Sequence, residues 1–105
     1  MVKAELAAAV AAVTAMLPLI ESQILDYTPE RAIALLAHGA AVQKSYRQIL
    51  LHLHQHRPAQ AGDDQHILLV AKNLEQTADM AVEIMKICHF IHFGTKYEKA
   101  KEAQG

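Results

Sequence analysis

Three carboxylates, Glu75, Asp79 and Glu83, recur at intervals of four within the stretch from Gly62 to Ile91. On a helix that spacing stacks them along one face, one turn apart. Carboxylate oxygens placed so could share a hard or borderline cation, if another helix or another chain adds ligands. The same spacing sets like charges beside one another, which helix stability does not ask for. Lys72 lies three residues before Glu75 and Lys86 three after Glu83, so both outer acids have cations within reach. Asp79 has none on its own helix. A solvated, salt-bridged face is the plainer account of the row, with Lys44 and Arg47 of the preceding helix as further cations for it.

Seven histidines offer a second chemistry. His52, His54 and His56 close one helical segment, and His66 opens the next. His52 and His56, four apart, form a zinc-compatible pair to which His66 could add. At the other end of an antiparallel arrangement, His38 would approach Cys88, His89 and His92. Ordinary surface or boundary positions account for both groups as well. There is no HExxH, no CxxC and no Glu-x-x-His of di-iron bundles. A Gly-rich phosphate loop, a nucleophile elbow and a dinucleotide fingerprint are also missing. With no activated nucleophile and no acid–base pair to name, the chain reads as a non-enzyme. Cys88 falls on an apolar stripe, which suits a buried, inert thiol.

The elements that must position these residues are helical. The chain has 105 residues, 52% of them hydrophobic but only 5% aromatic, with four Gly and no Trp. An Ala- and Leu/Ile-rich, Gly-poor composition favours close-packed helices over sheets. The periodicity predicts a first helix over about 3–26, with Leu6, Val10, Val13, Leu17, Ile20 and Ile24 as its bundle-facing stripe. Pro18 inside it predicts a kink near Thr14–Pro18. Thr28 suits an N-cap, Pro29 the first helical position and Glu30 the positive end of the dipole, so a second helix starts at 29 and runs to about 56. Ile33, Leu36, Ala40, Tyr46, Ile49 and Leu53 mark its inner side, and Gly39 with Ala40–Ala41 allows close helix contact. Pro58 and Gly62 break the chain, and Asp63 or Asp64 can cap the third helix. That helix buries Ile67, Val70, Ala71, Leu74, Ala78, Ala81, Met85, Cys88 and Ile91 until Gly94 stops it. Thr95-Lys96-Tyr97-Glu98 has the pattern of a capping box, so the tail over 95–105 would start a short further helix.

Three long helices with short connections must run up, down and up. The expected fold is an all-α, antiparallel three-helix bundle in a single domain over 1–105, with its core in 3–92 and a short helical tail. A formal charge of −1 leaves no basic field to hold nucleic acid or an anionic membrane. The apolar run over 6–20 follows Lys3 as in a signal peptide, but Glu5 and Pro18 interrupt it, and it falls short of the roughly 20 residues that span a bilayer. The expectation is an amphipathic helix in a cytoplasmic protein with no direct membrane insertion. One cysteine excludes an intramolecular disulfide.

The third helix and the loop before it resemble a known family. Arg57-Pro58, then Asp63 and Asp64, then Val70 through Ile84 with the core Leu74-Glu75-Gln76-Thr77-Ala78-Asp79, is similar to the third helix of a PhoU domain. That family's pattern is a proline, an aspartate soon after, then Leu-Glu-Arg-Ile-Gly-Asp and small or apolar positions. The resemblance spans about residues 3–92. It implies a three-helix bundle whose surface carboxylates bind metal, of a divalent or iron type. It also implies a regulatory role in phosphate uptake and phosphate signalling through a membrane transporter or sensor kinase. Related domains sit at the cytoplasmic end of sodium/phosphate cotransporters. Glu75 and Asp79 match the third-helix metal motif. The second helix departs from the family, since Val42-Gln43-Lys44-Ser45-Tyr46-Arg47 stands where a pair of aspartates is usual. Gln76, Thr77 and Ala78 replace Arg, Ile and Gly. Family members commonly carry two bundles in tandem, so a single one is expected to pair with itself as a homodimer, or to be one domain of a transporter. Two other readings stand beside this: a helical metal-binding protein that uses the histidines, and a dimerisation module whose alanine-rich first helix forms the interface.

Overall fold

The computed structural model describes residues 2–55 and 61–97. Three α-helices, α1 (Val2–Leu25), α2 (Pro29–Gln55) and α3 (Ala61–Phe93), form an antiparallel up-down-up bundle in which each packs on both others. The long axis of 51 Å is about the length of α3 alone, since its 33 residues rise about 1.5 Å each.

Local chemistry sets the helix ends. The Thr28 hydroxyl accepts a hydrogen bond from the Arg31 amide at 3.3 Å, which is N-capping of α2. Tyr27, just before the cap, is buried with Ala32 in the core, closing the entry to α2 as a hydrophobic staple does. At the same end of the bundle, Gly94 takes φ +76° and donates its amide to the Phe90 carbonyl at 2.7 Å. Only glycine adopts that left-handed stop without strain. The third helix starts at Ala61, earlier than the Gly62 break suggests. A glycine and two aspartates are tolerated in a first turn, where the amides lack helical partners and the dipole favours negative charge. Residues 56–60, and the tail from Glu98 that would complete a capping box, lie outside the described residues.

The joint between α1 and α2 is locked by one side chain. Gln23 is 2% exposed; its Nε2 donates to the Thr28 carbonyl at 3.0 Å, and its Oε1 accepts from the Thr28 amide at 2.9 Å. Arg31 adds donations to the Ser22 and Asp26 carbonyls.

The core differs from the expected one in α1. Ala9, Ala12, Met16 and Gln23 are buried there, whereas Val10, Leu17 and Ile24 of the expected stripe are exposed and Leu6, Val13 and Ile20 half-buried. Alanines ring this helix, so its apolar arc is wide and periodicity leaves its phase open. The face that meets both neighbours carries two small residues, Ala9 and Ala12, and two large ones, Met16 and Gln23. The second helix likewise buries Ala32, Leu35, Gly39, Val42, Ser45 and Ile49, leaving Ile33 and Ala40 outside. On α3, Ala71, Ala78, Ala81, Met85 and Cys88 are buried as expected, but Val70 and Ile91 are not. At Gly39 an added Cβ would meet Val82 Cγ2 at 3.2 Å and Met16 Cε at 3.8 Å, which explains the glycine at this crossing. Pro18 is exposed within a helix that runs unbroken from Val2 to Leu25. Taken whole, α1 is long and apolar enough to cross a membrane, because the helix continues through Glu5 and Pro18 where the sequence suggested interruption.

Candidate functional site: the acidic ridge of the third helix

The carboxylate row is present, and its members differ. Leu74 is half-buried, and the Glu75 side chain beside it is 13% exposed, while Asp79 and Glu83 are exposed. Lys72 Nζ lies 3.5 Å from Glu75 and 5.6 Å from the centre of the Tyr46 ring on α2. Lys86 pairs with Glu83 at 3.4 Å. Both outer acids therefore have the cations their spacing predicts.

Asp79 is served from α2, and by an amide rather than a cation. Gln43 Nε2 donates to Glu75 Oε2 at 2.9 Å and to Asp79 Oδ1 at 3.4 Å. Lys44 and Arg47 are exposed, and among the described residues neither forms an ion pair with the row. The reason is helical phase: one residue turns a side chain by about 100°, so Gln43 faces α3 and Lys44 does not. The Gln43 hydrogen bond is the main cause that lowers the Glu75 pKa, with Lys72 also lowering it and burial opposing both.

Two carboxylates and one amide on a surface suit at most a single hard cation with water completing its shell. They do not suit a multinuclear metal cluster, because α2 brings no carboxylate to the ridge. Among the described residues no three of His, Cys, Asp and Glu converge as a metal site.

The histidines separate. His52 lines a groove with Val2, Glu5, Gln48, Leu51 and Gln55, between α1 and α2. His54 lines another with Asp64, Gln65 and Leu68, between α2 and α3. His66 is exposed on α3, and His56 lies outside the described residues. At the far end His89 and His92 are absorbed by aromatic packing. Tyr27 meets His89, His92 and Phe93 with ring centroids 5.5–5.6 Å apart. His89 Nδ1 lies 3.0 Å from the Thr95 carbonyl, which ties the chain after α3 back onto the helix. Cys88 is a buried free thiol whose pKa burial raises.

Sequence reading missed Gln43, Gln23 and Tyr27. Tyr27 carried a signal, an aromatic residue just before a Thr-Pro-Glu cap. The two glutamines carried none.

A second surface lies between α1 and α3. Ile84, Ile87, Cys88, Ile91 and His92 line a groove of about 570 Å³ together with Gln23, Ile24, Leu25, Asp26 and Tyr27. Its lining is mainly aliphatic, with Asp26 as the charged member, and it holds none of Glu75, Asp79 and Glu83.

No family model, no curated protein and no solved structure matches this chain. Fold and ridge together define an all-α three-helix domain with an acid-lined α2/α3 flank.

Proposed function

We propose that this chain is a PhoU-like regulatory domain of phosphate uptake or phosphate signalling. It acts on the cytoplasmic side by contact with a membrane transporter or sensor kinase, and performs no chemistry of its own. The observation that carries this reading is the Leu74-Glu75…Asp79 ridge. Glu75 is half-buried against Gln43 of α2, Asp79 and Glu83 are exposed beside it, and Gln43 and two lysines partner the row. A row of oriented carboxylates is suited to a cationic segment of a partner, through charge complementarity that fixes register. It is also suited to one divalent or iron-type ion between Glu75 and Asp79, with the Gln43 amide turned to present its oxygen.

The test replaces Glu75 and Asp79 together by alanine in the host. Phosphate uptake and a phosphate-responsive reporter are then compared among the wild type, the variant and a deletion. The variant should reproduce the deletion, with uptake no longer repressed by abundant phosphate. An unaltered phosphate response in the deletion strain would refute the role. Elemental analysis of the untagged protein beside the same variant reports whether the contact is metal-assisted.

A further inference from the structure

We draw no further inference here: the strongest candidate, the mainly aliphatic groove between α1 and α3 lined by Ile24, Ile84, Ile87 and Ile91 with Asp26 as its charged member, carries nothing because nothing in the structure shows what covers it.

Discussion

Replacing Gln23 by alanine tests whether one side chain holds the α1–α2 joint. Two hydrogen bonds, at 3.0 and 2.9 Å, disappear. At about 1 kcal/mol each, net of water, they account for roughly 2 kcal/mol. The Thr28 carbonyl keeps a bond from the Ala32 amide at 3.2 Å, and Thr28 is half-exposed, so water can reach its freed amide. The desolvation penalty of an unpaired group therefore stays small. Truncating a side chain that is 2% exposed leaves a cavity, which adds about 1 kcal/mol. The expected loss is about 2–3 kcal/mol, a large share of the roughly 5–15 kcal/mol of a small domain. The midpoint of urea unfolding, followed by circular dichroism, should fall accordingly with an unchanged slope. Gln23→Glu adds a control with a definite sign. Its carboxylate can accept from the Thr28 amide but can donate to the Thr28 carbonyl only when protonated. The folded state therefore raises its pKa above the unfolded value of about 4.3. The stability tied to that proton is complete below the unfolded pKa and is lost as pH rises through the folded one. A Gln23→Ala change worth less than ~0.5 kcal/mol, within the range of ordinary surface substitutions, would refute the clamp.

Two further outcomes follow from the packing of α2 on α3. Gly39→Ala should destabilise by about 1 kcal/mol, because overpacking against Val82 at 3.2 Å outweighs the helix-propensity gain. Val82→Ala should relieve that loss, and additive effects in the double-mutant cycle would exclude the contact. Gln43→Leu should raise the Glu75 pKa toward the ordinary carboxylate value, as read by carboxyl NMR titration, since the Gln43 hydrogen bond is the main cause lowering it. Because that folded pKa is depressed, its stabilisation is present above the unfolded pKa and fades as pH falls through the folded one. The stability gap between wild type and variant should thus be widest at neutral pH and close in acid.

The start of α2 and the end of α3 were legible because caps are local, whereas α3 begins at Ala61, ahead of the expected Asp63 or Asp64 cap. Thr28-Pro29-Glu30 and Gly94 signal through neighbours in sequence, and both ends fall where those residues put them. The acidic row and its two lysine pairs were legible for the same reason, since i,i+3 and i,i+4 geometry needs only one helix. What crosses between helices was not. Gln43 and Glu75 are 32 positions apart, and rotation by one residue decides whether Gln43 or Lys44 meets the ridge. The phase of α1 failed similarly: a large apolar stripe marks a face that wants burial, but not which neighbour buries it. Val10, Leu17 and Ile24 have the right period for a core and lie outside it.

The α1–α2 joint also bears on the order in which the chain folds. Every bond that makes it, from Gln23 to Thr28, Thr28 to Arg31 and Arg31 back to Ser22 and Asp26, spans nine residues or fewer. Loops that short close within tens of nanoseconds and forfeit little chain entropy. The turn that joins α1 to α2 can thus form without any contribution from α3. During synthesis every residue of that joint is in the chain before the acidic ridge of α3 has been made.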